Sequence, residues 1–254
     1  MKKLQNIGNR IIPVAFTAVI VLIWQLVSDN AGIPKFVLPS PADIGSAIFK
    51  ILPELKMHTM TTIWEALSGL AISIGLSIVL AVVMDSILVV KKALYPVLII
   101  SQTIPIIALA PLFIIWFGFG MLPKILVVVL VCFFPIVISL TDGLASVDTD
   151  MLNLMKSMGA GKIQIFRHLK LPAACMSFFS GLRIAVTYSI MGAVIGEWLG
   201  GEKGLGVYMI RVKHSYSLDK FFAVIVVIVI LSIILFKITA LIEYALMPWN
   251  RAQK

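Results

Sequence analysis

Charge is what this chain has least of. Only 13% of its 254 residues are Asp, Glu, Lys or Arg, against 60% hydrophobic, and its mean hydropathy is +1.06. A soluble fold of this length needs a polar exterior that so few charges cannot supply. A water-soluble globular domain is excluded, and a polytopic membrane protein is left. Histidine is scarce too, at three. No nucleophile or metal-ligand spacing surrounds His58, His168 or His214, and the apolar segments hold no Ser/His or paired-carboxylate arrangement. No catalytic residue, no metal site and no enzyme activity are expected. The two cysteines sit in separate surroundings, Cys132 in an apolar run and Cys175 beside a polar one, so no disulfide is expected. Internal repeats and low-complexity tracts are absent. A Walker phosphate loop is absent as well, because Gly159-Ala160-Gly161-Lys162 has the wrong spacing and follows no strand.

What is present is a set of long apolar runs. A spanning helix needs roughly 20 apolar residues, and six candidates emerge: 11–27, 61–84, 93–117 (interrupted by Pro96, Pro105 and Pro111), 122–140, 178–199 and 221–247. The expected fold is all-α, a polytopic bundle of about six transmembrane helices. At this length one bundle is expected over two domains, so 1–254 reads as a single transmembrane domain with its core at 61–247. Lys2, Lys3 and Arg10 before the first run resemble a signal peptide. No small-x-small cleavage site follows, and the run continues to Trp24, so it reads as a retained helix.

The net charge of +9 lies mostly in loops and tails, where anionic headgroups and the positive-inside bias account for it. Nucleic acid is not an expected partner; the lipid bilayer is. With the N-terminus inside, eleven Lys and Arg fall on inner segments, including Arg251 and Lys254, against eight on outer ones. Both termini are therefore expected in the cytoplasm.

Two outer segments are more than linkers. Ser40-Pro41-Ala42-Asp43 starts a helix, with Ser40 as N-cap, Pro41 at the first helical position and Asp43 in the first turn. Ile44, Ile48, Phe49, Ile51 and Leu52 then make an apolar stripe, which suits a helix lying along the outer interface. The segment 200–220 carries Gly200, Gly201, Gly204 and Gly206, and fits a gate-like loop or an ordinary turn.

The segment 148–172 departs most from its surroundings. Asp148, Thr149 and Asp150 supply N-caps, and Met151, Leu154, Met155 and Met158 recur at helical spacing. Gly159 is suited to end that helix in a left-handed turn. A second short helix, 162–169, places Ile163, Phe166 and Leu169 near one face, and Pro172 is expected to stop it. An apolar ridge with basic flanks requires a cover, either the bundle and headgroups or a protein partner.

This pattern resembles the signature loop of the inner-membrane permeases of ATP-binding-cassette importers: Glu-Ala-Ala, three residues, Gly, nine residues, Ile-x-Leu-Pro. Gly159 takes the glycine, nine residues follow, and Leu169-Lys170-Leu171-Pro172 matches the ending with Leu for Ile. Asn153-Leu154-Met155 replaces the opening, so the usual acidic residue is missing. Further segments resemble the nitrate/sulfonate/taurine branch, which also includes permeases for thiamine-precursor pyrimidines and riboflavin: Phe36 to Pro41, Ser101-Gln102-Thr103-Ile104-Pro105, Trp116 to Gly120, Ser180-Gly181-Leu182-Arg183, and Gly196-Glu197-Trp198 with Gly204-Leu205-Gly206.

The resemblance implies a type I importer permease in a bacterial plasma (inner) membrane. Asn153, Leu154, Met155, Met158, Gly159, Ala160, Leu169, Leu171 and Pro172 would couple it to ATP-binding-cassette ATPase subunits, which bind the ATP; this chain has no cofactor of its own. It also implies a second permease copy, forming a homodimer, and an extracytoplasmic substrate-binding protein. The solute would be small and organic, such as a pyrimidine thiamine precursor, a sulfonate or taurine. The competing class is an ATP-independent channel or secondary transporter, which has no need of the Gly159 loop and whose inverted repeats are not apparent.

Polar residues inside spans are functional candidates. Ser101, Gln102 and Thr103 precede Pro105, which kinks a helix, and Gln102 is costly against lipid. Their face either lines a translocation path or makes a helix–helix hydrogen bond. Glu197 either lines the outer end of the path or pairs with the glycine loop. Arg183 reads as a snorkelling or loop-anchoring residue. Glu65 is expected near a helix end and solvated, and His58 in a polar outer loop.

Overall fold

A computed structural model describes residues 2–30, 32 and 34–248; Trp249, Asn250, Arg251 and Lys254 lie outside the described residues. Among those described, the regular structure is helical throughout: α1 Lys2–Asn30, α2 Pro41–Ser86, α3 Leu88–Ser101, α4 Ile106–Phe117, α5 Met121–Ala145, α6 Thr149–Ser157, α7 Lys162–Ile165, a π turn Phe166–Lys170, α8 Leu171–Leu199, α9 Leu205–His214 and α10 Leu218–Leu246. Five helices are long and apolar enough to cross a membrane, and α3 with α4 makes a sixth crossing if that bent pair is one span.

Three boundaries differ from the sequence reading. The outer helix expected at 41–52 and the second span form one 46-residue helix, α2. Pro53 removes one backbone donor, but no helix-stopping residue lies between it and Thr61, so the helix runs on. The third span is broken: α3 and α4 meet at an angle of 101°, with Gln102 to Pro105 between them. Pro105 cannot donate to the helix and disfavours helical geometry at Ile104. Segment 200–220, expected as a loop, contains the ten-residue α9.

The chain divides into two compact units, Met1–Met57 with Tyr208–Val227, and His58–Val207 with Ile228–Lys254. In the first, Ser40 caps α2 as the sequence predicts. Its Oγ accepts from the Asp43 N–H at 3.1 Å, and Asp43 Oδ2 accepts from Ser40 N–H at 3.3 Å, the reciprocal arrangement of a capping box. Lys35 Nζ lies 2.9 Å from Asp43 Oδ1, which raises the lysine above its ordinary range through that hydrogen bond. Trp24 meets Phe222 edge-on at 5.8 Å. The Tyr208 hydroxyl donates to Glu54 Oε2 at 3.1 Å, and burial, followed by that carboxylate, pushes it up to about 12.

The second unit is built around α5 and α8. Val128, Cys132 and Ile136 of α5 interleave with Phe179, Leu182, Ala185, Val186, Ile190 and Ala193 of α8, and Ala66 and Leu70 of α2 join them. The helices approach so closely that a Cβ on Gly181 would lie 2.5 Å from the Pro135 carbonyl oxygen. Small residues that let backbones meet are the usual basis of helix association in lipid, where apolar contact gives no advantage over lipid tails.

Candidate functional site

The segment 148–172 takes the bent form its residues predict. Asp148 Oδ1 accepts from Asp150 N–H at 2.8 Å, capping α6. Gly159 has φ +81, and the turn closes with Ala160 N–H donating to Met155 O at 3.0 Å and Gly159 N–H to Lys156 O at 2.9 Å. That pair of bonds is the Schellman arrangement, and its left-handed residue favours glycine. Gln164 Oε1 then accepts from Gly161 N–H at 2.8 Å, starting α7.

The second helix does not stop at Pro172. It passes through the π turn, with Leu171 N–H bonded to Phe166 O, and continues as α8. A proline ring collides with the carbonyl four residues earlier in an α-helix, and the wider turn relieves that collision while keeping the chain helical. Ile165 and Phe166 pack inward, whereas Ile163, expected beside Phe166, is 82% exposed. Met151, Leu154 and Met158 are also exposed. Met155, Met158, Gly159, Ala160, Gln164 and His168 line a concavity of about 320 Å³. Asn153 is exposed, Leu169 and Pro172 are half-buried, and Leu171 is exposed. Lys170 Nζ reaches Asp85 Oδ1 at 2.7 Å, tying the π turn to the end of α2.

A second cluster gathers at the 200–206 loop. Glu197 is 1% exposed; its Oε1 accepts from Thr62 Oγ1 at 2.6 Å and its Oε2 from Gly206 N–H at 2.6 Å. Leu205 N–H donates to Thr62 Oγ1 at 2.9 Å, and Gly204 N–H to His58 Nδ1 at 3.0 Å, which places a neutral ring's proton at Nε2. Glu65 does not stand in solvent: it is 1% exposed, and its Oε1 accepts from Lys124 Nζ at 2.9 Å. His58 is likewise buried within α2, not in a loop. The partners of both come from distant segments, α5 and the 200–206 loop, which a scan along the chain does not bring together. A local signal existed nonetheless: His58, Thr62 and Glu65 are spaced four and three apart, one face of a helix. Gly204 has φ +129, and a Cβ there would strike the Glu197 carboxylate.

Arg183 pairs with Glu243 of α10 and lies over the Phe236 ring at 5.9 Å, so it anchors two helices. Ser101 is half-buried, and Gln102, Thr103 and Pro105 are exposed on the unit's own surface. The structure does not bring them to Glu197; the break and the loop cluster are separate features of the second unit.

Long apolar helices, one sharply bent helix pair and an exposed bent segment between two of them define a multi-pass membrane protein. Residues 73–247 match the family of binding-protein-dependent transport system inner membrane components, and the chain belongs to that family. It is 38% identical to the formylaminopyrimidine transport permease protein ThiX of Halalkalibacterium halodurans, over 95% of this chain and 96% of that one. It is 31% identical to the riboflavin transport system permease protein RibX of Chloroflexus aurantiacus, over 94% and 90%. Its fold is similar to a chain of the inward-facing MetNI methionine ABC transporter, with TM-score 0.60 and 20% identity, covering 76% of this chain and 97% of that one. The chain is thus a transmembrane permease subunit of an ABC importer, an inner-membrane component and not itself an enzyme; the channel and secondary-transporter readings give way to it.

Proposed function

We propose that this permease forms, with a second copy of itself, the path for a pyrimidine-type solute delivered by an extracytoplasmic binding protein. A separate ATPase subunit that binds ATP drives it by docking on segment 148–172. The observation that carries the reading is the exposed ridge Met151, Leu154, Met158 and Ile163 around the left-handed turn at Gly159. A ridge of that kind in water needs a protein cover, and its basic flanks put it on the cytoplasmic side, with both termini. The coupling set is Asn153, Leu154, Met155, Met158, Gly159, Ala160, Leu169, Leu171 and Pro172. Ser101, Gln102, Thr103 and Pro105 line the path, and Glu197 braces the loop at its outer end. The chain acts as one permease domain. The solute class is supported by the Halalkalibacterium halodurans relative above, whose name gives formylaminopyrimidine.

Gly159→Val tests the coupling. A β-branched residue at φ +81 is strained by about 1–2 kcal/mol, too little to unfold the bundle but enough to distort the turn. Expected are normal membrane insertion, loss of uptake, and ATP hydrolysis no longer tied to transport. Undiminished uptake overturns the docking assignment.

A further inference from the structure

The cluster beneath the 200–206 loop, all of it within the second unit, carries one carboxylate more than its cation can balance. Glu65 on α2 and Glu197 on α8 face a single ammonium, Lys124 on α5, and none of the three is more than 5% exposed. Lys124 Nζ donates to Glu65 Oε1 at 2.9 Å, and its other contact, at 3.4 Å, is the Lys203 carbonyl of the loop. Both Glu197 oxygens accept, Oε1 from the Thr62 hydroxyl and Oε2 from Gly206 N–H. Glu65 Oε2 is the oxygen left over. It is buried without a donor, and the Glu197 carboxylate lies within hydrogen-bonding reach of Glu65. This chain alone encloses the atom, so a second subunit cannot supply the donor. Two carboxylates in contact away from water do not both stay ionised, and one proton between them removes the repulsion. Here it also leaves one anion against one cation and gives the orphaned oxygen a hydrogen bond to make.

We propose that the 200–206 loop is latched by one bound proton, carried on Glu65 Oε2 and donated to the Glu197 carboxylate. Glu197 holds the loop through Gly206 N–H, and Thr62 holds it through Leu205 N–H. Gly204 presses so close to Glu197 that a Cβ has no room. Water stands beside the loop at the exposed residues Gly201, Glu202 and Lys203. Loss of the proton to that water breaks the O–H bond, leaves its electron pair on Glu65 and sets two anions against each other, of which Lys124 balances one. The loop is therefore expected to loosen as pH rises. The neighbouring groups do not reproduce that sign. His58 on α2 accepts the Gly204 N–H at Nδ1, so its protonation breaks that bond and loosens the loop as pH falls. Glu202 and Lys203 are exposed. The next charged residue along α8 is Arg183, paired with Glu243, and the next along α5 is Asp142, which accepts from Tyr95.

The test follows hydrogen exchange at the Leu205 and Gly206 amides of the complete importer in nanodiscs, each rate divided by the intrinsic rate at that pH. Wild-type protection is expected to fall several-fold from neutral to alkaline pH. Glu65→Gln puts an N–H donor where the O–H is placed, keeps an oxygen for Lys124 and leaves the same total charge. It is expected to retain wild-type protection at neutral pH and to lose the pH dependence. Glu197→Gln replaces one of two accepting oxygens with a nitrogen that cannot accept, and is expected to lose protection at every pH. The infrared spectrum of the wild type at neutral pH is expected to show a protonated-carboxyl band that fades in alkali together with the loop's protection. If Glu65→Gln fails to assemble, that band and the wild-type profile decide the outcome alone. Absence of the band, or protection that is flat or rises with pH, overturns the latch. So does a Glu65→Gln importer that loses as much protection as Glu197→Gln. A pH dependence that survives Glu65→Gln belongs to Lys124, and the proposal falls.

Discussion

Lys124 and Glu65 meet with side chains 7% and 1% exposed. A buried ion pair adds little over a well-packed apolar pair, but removing one partner leaves a charge without compensation and costs about 3–5 kcal/mol. Lys124→Met is therefore expected to lower the thermal midpoint in detergent sharply, and Lys124→Met with Glu65→Leu to recover most of the loss. A recovery no better than the sum of the two single effects would show that the residues act independently. Gly204 is the second sensitive residue. Gly204→Ala places a methyl against the Glu197 carboxylate at a backbone angle that side chains avoid. Its expected cost of about 1–3 kcal/mol falls on the loop, and faster hydrogen exchange at Leu205 and Gly206, whose amides bond Thr62 and Glu197, is the measurement that reads it.

At the scale of the element, the π turn at Phe166–Lys170 joins the proposed docking segment to α8. The helical backbone runs on from α7 to α8 without a break, so a partner docked as proposed on α7 would bear on α8 directly. Pro172→Ala restores a donor that an ordinary α-helical turn could use. Contraction of the turn would rotate α7 against α8 by about 100°, the angle of one residue. The expected result is a stability change below about 1 kcal/mol with a clear fall in solute moved per ATP. Unaltered coupling would show that the π geometry is incidental. The Gly159 end of the same segment was legible in the sequence because glycine, caps and periodicity are local signals. The π turn was not, since Pro172 reads equally as a stop or as an early position of the next helix.

On the scale of the whole molecule, the proposed docking requires segment 148–172 and the Lys35 end of α2 to face opposite sides of the membrane. Ile163→Cys should react with an impermeant maleimide in inside-out vesicles and be shielded when the ATPase is added, whereas Lys35→Cys should react only from the opposite face. Reversal of either result would invert the topology and remove the docking surface from the ATPase. The long apolar helices were readable from apolar length alone, five of them with the bent pair α3–α4 as a possible sixth crossing, and so was the membrane class. The helix boundaries were less so: α2 swallowed an expected interfacial helix, and the third span split at Pro105.

Hydropathy, loop charge and turn chemistry act between neighbours in sequence, so the chain by itself settled the membrane class, the long apolar segments, the Ser40 cap and the bend at Gly159. The pairing of Glu65 with Lys124, the bracing of the glycine loop by His58 and Thr62, and the tie from Arg183 to Glu243 join residues many tens of positions apart. Buried polar groups must find partners wherever packing brings them, and only the folded arrangement of α2, α5, α8 and α10 decided which those were.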